Sequence, residues 1–150
     1  MVILIREAVE EDFPKLISLF KQFAAFQKIP EQMMNTAERM KEEKSFFRCY
    51  VAVNNNGTIA GYLSYFYAYF TFTGKSLYID DLYVVEKYRG SGIGKKLMQK
   101  VVQLAKTEKC RKVRWQVSKW NKKAQDFYKS MGVKIDDIEI NCDLEINIIK

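Results

Sequence analysis

The 150-residue chain contains no histidine and only three cysteines. Without histidine or a close cysteine pair, a zinc site or a histidine-based triad is nearly excluded. Proton transfer then falls to carboxylates, tyrosine, lysine, cysteine or water. Cys49, Cys110 and Cys142 are an odd, widely spaced set. They read as reduced cytosolic thiols rather than a disulfide framework. No run of about 18 apolar residues occurs, so no membrane span is expected. The first residues lack the layout of a secretory signal, with Glu7 already acidic, and a cytoplasmic location is expected. What is present is apolar material for a core: 48% hydrophobic and 14% aromatic residues. One domain over residues 1–150 is expected.

The chain has seven glycines, and three of them fall at Gly90, Gly92 and Gly94. The stretch Arg89-Gly90-Ser91-Gly92-Ile93-Gly94 follows the apolar run Leu82-Tyr83-Val84-Val85 and opens a long amphipathic pattern. A strand entering a glycine turn that starts a helix leaves N–H groups unpaired at the positive end of the helix dipole, which suits a phosphate group. A P-loop is out of register, because three residues separate Gly90 from Gly94-Lys95 and Lys96 replaces the magnesium-binding hydroxyl. A dinucleotide fingerprint fails too, since the spacing here is G-x-G-x-G. A tight turn with glycines placed for packing would show the same residues.

Periodicity gives the rest of the order. Val2–Glu7 reads as a strand. Glu11–Phe26 reads as a helix with Leu16, Leu19, Phe20 and Phe23 on one face. Asn35–Lys44 is a second, more polar helix. Phe47–Val53 and Ile59–Ala68 form a hairpin around Asn55-Asn56-Gly57. Ser76–Val85 is the central strand, followed by a helix over Gly92–Glu108, a buried strand at 112–117 and a helix at 122–131. Val133–Ile140 and Leu144–Ile149 are expected to end the sheet as a second hairpin.

Asn121, Ala124, Tyr128 and Gly132 form the arrangement Asn-x-x-Ala-x-x-x-Tyr-x-x-x-Gly some 30 residues beyond the glycine turn. Together with R-x-x-G-x-G at Arg89–Gly94, it resembles the two halves of the acetyl-CoA site in the GNAT N-acetyltransferases. The resemblance covers nearly the whole chain. Tyr78-Ile79-Asp80-Asp81-Leu82-Tyr83-Val84, Thr73-Gly74-Lys75, Trp120-Asn121 and Phe127-Tyr128 are similar to the diamine subgroup, the spermidine/spermine and thialysine acetyltransferases. The resemblance implies an α+β fold, with a mixed, mostly antiparallel twisted sheet flanked by helices.

It also implies acetyl-CoA as cofactor, held by Leu82, Tyr83, Val84, Arg89, Gly90, Ser91, Gly92, Ile93, Gly94, Lys95, Asn121, Lys123, Ala124 and Tyr128. The backbone of Leu82–Val84 would pair with the pantetheine arm like an added strand. Charge agrees: residues 86–123 carry 13 Lys/Arg against 2 Glu, or +11, while the rest is 12 against 16, or −4. A local positive field attracts a polyanionic cofactor; Lys100, Lys106 and Lys109 read as a solvated helix face. No nucleic-acid signature accompanies the charge, so nucleic acid is not expected as a partner.

The implied reaction is transfer of an acetyl group to a primary amine of a small molecule, by direct attack on the thioester. The amine must lose a proton from a group with a pKa of about 10.4. Asp80 occupies the position of the family's substrate carboxylate, where glutamate is commoner. On a regular strand Asp80 and Asp81 would face opposite ways. Tyr128 matches the family's general acid for the departing thiolate. Gln27, Asp80, Arg114, Trp115 and Gln116 match substrate-binding positions. Gln27 in place of an acidic residue and the positive Arg114 weaken a polyamine and admit an amino-acid-like amine. A homodimer is implied. A protein N-terminal or lysine acetyltransferase and a non-catalytic CoA-binding module remain the alternatives.

Overall fold

Aromatic and aliphatic residues over 48–53 and 59–70 build two consecutive strands, and Asn54 closes the turn between them. Its Oδ1 accepts from the N–H groups of Asn56 and Thr58 at 2.9 and 3.0 Å, while Gly57 takes φ +79°. Only glycine adopts that left-handed angle without steric cost. The computed structural model describes residues 2–146 and divides the chain into two units, residues 1–116 and 117–150.

The first unit holds a five-stranded sheet: β1 (Leu4–Glu7), β2 (Arg48–Val53), β3 (Ile59–Phe70), β4 (Gly74–Val84) and β5 (Val113–Arg114). The strands lie side by side in chain order. β1 to β4 are antiparallel, and β5 joins β4 in parallel. Helices α1 (Phe13–Phe26), α2 (Ala37–Glu42) and α3 (Ile93–Thr107) complete the unit. This is the expected α+β class with a mixed, mostly antiparallel sheet.

Side-chain alternation assigns each face. Phe13, Leu16 and Leu19 of α1 and Met40 of α2 pack with Cys49, Val51, Tyr62 and Tyr83. Tyr50, on the opposite face of β2, lies under Lys100 of α3, whose ammonium is 5.8 Å from the ring centroid. The second helix is shorter than its sequence pattern: Thr36 caps it by accepting from the Arg39 N–H at 3.1 Å, and it ends at Glu42. At the other end of this layer Asp12 accepts from Arg6 at 2.7 and 3.0 Å and from the Val9 N–H at 2.8 Å. That bidentate pair fixes β1 to the entry of α1. Full burial of a core leucine such as Leu16 contributes about 2 kcal/mol.

The second unit contains α4 (Lys122–Ser130). Gln125 donates to the carbonyls of Ser118 and Lys119 at 3.0 and 2.9 Å, folding the preceding turn onto the helix. Gly132, at φ +83°, ends it.

Two expectations are corrected. The buried strand at 112–117 is only Val113–Arg114, and neither residue is fully buried. Charged Lys112 and Arg114 keep this edge solvated. The terminal hairpin is absent over 133–146, where no strand forms; residues 147–149 lie outside the described residues. Alternation in this stretch competes with Asp136, Asp137, Glu139, Asp143 and Glu145, and acidic residues are poor strand formers. Among the described residues, no helix is long and apolar enough to cross a membrane.

Candidate active site

The β3–β4 pair is irregular at one point, and the candidate site is there. Ser64 pairs with Asp81 and Tyr65 with Ile79, so Asp80 is an extra residue in β4. This is a β-bulge. It interrupts the alternation that would separate the two aspartates. Tyr65 stacks on Tyr50 and therefore faces α3, with Ile79 as its cross-strand partner. Tyr62 faces α1 and donates to Asp81 at 3.0 Å. The register thus changes sides between Ile79 and Asp81, and Asp80 lies at the change. Its charge reaches Asp81, Tyr62 and Tyr78, all on the α1 face. The bulge therefore removes the regular alternation on which the expectation of opposite faces rests.

The electrostatics follow from burial and proximity. Asp81 is raised to about 7, first by burial and then by the charge of Asp80, against the Tyr62 hydrogen bond, which favours the ionised form. Its own N–H donates to Ser64 Oγ at 3.2 Å. Asp80 is solvent-accessible, yet enough protein surrounds it that desolvation raises its pKa. Burial, then Asp81, drives the Tyr62 phenol well above the ordinary tyrosine range, so Tyr62 remains a donor. The sequence does not mark Tyr62 and Asp81 as site residues, because a bulge has no signature in an alternating pattern.

β4 pairs with β3 through Val84 but with β5 only at Leu77 and Tyr78. From Ile79 to Val84, no strand pairs with its other edge among the described residues. The Tyr83 side chain is buried and donates to Gln22 at 3.3 Å. Leu82 and Val84 are half-buried.

The strand leads into the glycine turn. Gly90 and Gly92 have φ +84° and +86°, and a Cβ placed on either would meet nothing within 4 Å. The turn is therefore open, and its glycines serve backbone conformation rather than close packing. No side chain caps α3, whose N-terminal N–H groups belong to Ile93, Gly94 and Lys95. The Ile93 side chain is buried, whereas Lys95 is exposed. Ser91 Oγ donates to the Tyr88 carbonyl at 2.6 Å. Arg89 donates to the Val84 carbonyl at 2.7 Å and lies over the rings of Phe26 and Tyr83, at 4.8 and 5.4 Å. These contacts dock the turn on the end of α1, where Gln27 is the C-cap.

Arg114 pairs with Tyr78 across the β4–β5 ladder and stacks on Phe70 at 4.6 Å. Trp115 and Gln116 lie beyond the strand, half-buried and exposed. The first unit thus brings Asp80 and Arg114 onto neighbouring strands, with Gln27 at the glycine-turn end. The second unit carries the remaining candidates. Asn121 Oδ1 accepts from the Ala124 N–H at 3.1 Å and caps α4; Lys123 is exposed in its first turn. Tyr128 is buried, its ring 5.5 Å from that of Phe127, and burial raises its pKa.

The sequence matches the profile of the Acetyltransferase (GNAT) family over residues 5–133. It is 35% identical over 143 residues to thialysine N-epsilon-acetyltransferase of Sus scrofa, covering 88% of this chain and 84% of that protein. Spermidine/spermine N(1)-acetyltransferase-like protein 1 of Homo sapiens is 31% identical over 138 residues, 85% of this chain but 20% of that longer protein. Among solved structures, an aminoglycoside acetyltransferase from an uncultured soil metagenomic sample gives a TM-score of 0.79 at 26% identity, covering 95% of this chain and 97% of that one. An integron cassette protein of V. cholerae gives 0.78 at 22% identity, with 98% and 94% covered, a likeness of fold.

Proposed function

The chain belongs to the acetyltransferase (GNAT) family and is an N-acetyltransferase; we propose that it acetylates the primary amine of a small cationic molecule. The observation that carries this reading is the bulge at Asp80, which breaks the alternation that would separate two adjacent carboxylates, Asp81 being raised to about 7. A negative, partly desolvated pair attracts an alkylammonium and can take its proton, directly or through water. Asp80, at the surface of the bulge, meets the amine. Asp81 is the better-matched proton acceptor, because its pKa lies near the working pH.

Acetyl-CoA fits the remaining features, and when bound it supplies an acetyl group activated as a thioester. The unpaired edge of Leu82, Tyr83 and Val84 would hold its arm by backbone hydrogen bonds. The open turn Gly90-Ser91-Gly92, with the N–H groups of Ile93, Gly94 and Lys95, would hold its phosphates. Arg89 positions that turn. By the family resemblance Asn121, Lys123 and Ala124 would complete the binding, Tyr128 would supply the proton required by the departing thiolate, and the Val84 N–H would donate to the carbonyl oxygen.

Relatives named for thialysine, spermidine/spermine and L-ornithine acetylation support a small amine over a protein substrate. A homodimer is also proposed: Ile138, Ile140, Leu144 and Ile146 are exposed apolar residues that such an interface would cover. Sedimentation at micromolar concentration checks it, a single monomeric species refuting it. The activity test is thiol release from acetyl-CoA against polyamines, amino acids, aminoglycosides and short peptides. Turnover with one class of small amine is expected. Turnover with peptides alone would reverse the reading.

A further inference from the structure

Beyond the bulge, the same sheet face carries an aromatic floor that ends in positive charge. Phe66 and Tyr78 stack across β3 and β4 with ring centroids 5.0 Å apart and planes 18° from parallel. Phe66 is 44% exposed, so the floor is open to solvent. Arg114 lies beside Tyr78 on β5. Its guanidinium rests on Phe70 at 4.6 Å, and the Lys112 ammonium lies 4.9 Å from the same ring. Among the described residues no carboxylate pairs with Arg114, and no cation pairs with Asp80. Two opposite charges, each without an ionic partner, thus flank one aromatic surface.

Strand geometry sets their separation. Arg114 is one strand over from Tyr78, and Asp80 is two residues further along β4, which places their Cα atoms roughly 8 Å apart. The guanidinium leans toward Phe70, away from Asp80, and widens the gap between the charges. A chain of several methylenes fits between them. We propose that Arg114 binds a substrate carboxylate, so that the enzyme selects an amino acid bearing a remote amine over a polyamine. The inference rests on the reading that Asp80 and Asp81 receive the reacting amine. An arginine fork matches a carboxylate in two parallel hydrogen bonds. For a polyamine the same position holds Arg114 and Lys112 against a second ammonium, which is repulsive.

The test is a matched pair of substrates: thialysine, and bis(2-aminoethyl) sulfide, which is thialysine without its carboxylate. Wild-type kcat/KM is expected to favour thialysine at least 10-fold. Arg114→Gln should abolish the preference, mainly through KM for thialysine, and Arg114→Glu should invert it. Arg114→Lys should keep part of it, since an ammonium retains charge but not the fork. An unchanged acetyl-CoA KM in these variants separates carboxylate binding from a cofactor role. Equal wild-type use of both substrates, or an unchanged ratio in Arg114→Gln that melts like wild type, overturns the role of Arg114 alone. Acetylation of neither molecule, nor of any other small amine, overturns the underlying reading of the carboxylate pair. If Arg114→Gln does not fold, the ratio in Arg114→Lys decides, an undiminished preference overturning the proposal.

Discussion

Tyr62 donates to Asp81 at 3.0 Å from a fully buried position. The bond joins a residue that is wholly core to one at the edge of the candidate site. It opposes the two influences that keep Asp81 protonated, burial and the neighbouring Asp80 charge. The tyrosine thereby orients one carboxylate oxygen and favours its ionised form.

Removing that hydroxyl gives the first prediction. Tyr62→Phe should raise the Asp81 pKa above its value of about 7, because the ionised form loses its donor. If Asp81 accepts the proton, the acidic limb of kcat/KM moves to higher pH. Activity at pH 7 falls by roughly 3- to 10-fold and is recovered above about pH 8.5. A uniform loss at every pH, with no displacement of the limb, would assign Tyr62 a packing role only.

Asp81 also has a sign in stability. Its folded pKa of about 7 lies above the ordinary 3.8, so between those values the folded state binds more protons than the unfolded one. Stability from this group therefore declines as pH rises from about 4 and levels off above about 7. Asp81→Asn removes the decline while keeping an oxygen for Tyr62. The variant should match wild type near pH 4 and exceed it by roughly 1–2 kcal/mol at pH 8, less than the full shift because water reaches the carboxylate. Urea unfolding at both pH values measures it, and kcat/KM should fall in the same protein. A difference independent of pH would show that Asp81 is not raised.

The parts of this molecule legible from sequence are those with local causes. Gly90 and Gly92 announced a turn because left-handed φ demands glycine, and the α3 period of Leu97, Met98, Val101 and Ala105 follows from burial of one helix face. Asp80 was legible through its motif. The placement of Asp81 is not, since its side of the sheet depends on one unpaired residue in the β3–β4 hairpin, and a bulge leaves no mark on an alternating pattern. The platform of Phe66, Tyr78 and Arg114 depends on the register of three strands. The lack of a strand over 133–146 makes the converse point: alternation near Ile138 and Ile140 specifies a strand only where a partner edge receives it.

At the turn, Gly92→Asp should weaken acetyl-CoA binding. A side chain finds space at this position, so the cost comes from forcing φ +86° on a non-glycine residue and from a carboxylate at the phosphate end of α3. Calorimetry should show Kd raised about 10-fold or more, equivalent to roughly 1.4 kcal/mol. Gly92→Asn adds the backbone strain without the charge and should lose less. Equal affinity in a folded Gly92→Asp protein would remove this turn from the phosphate site.

Tyr128 separates chemistry from binding. Burial raises its pKa, so the phenol keeps its proton throughout the neutral range and remains a competent donor there. Tyr128→Phe preserves the ring against Phe127 and removes only the hydroxyl. If that hydroxyl protonates the departing thiolate, kcat should fall about 100-fold, while acetyl-CoA affinity stays within a few-fold. The loss should be smaller with an acyl donor whose thiol has a lower pKa, because a better leaving group needs less help from an acid. Equal losses on both donors, or turnover matching wild type across a pH series, would take Tyr128 out of the acid role.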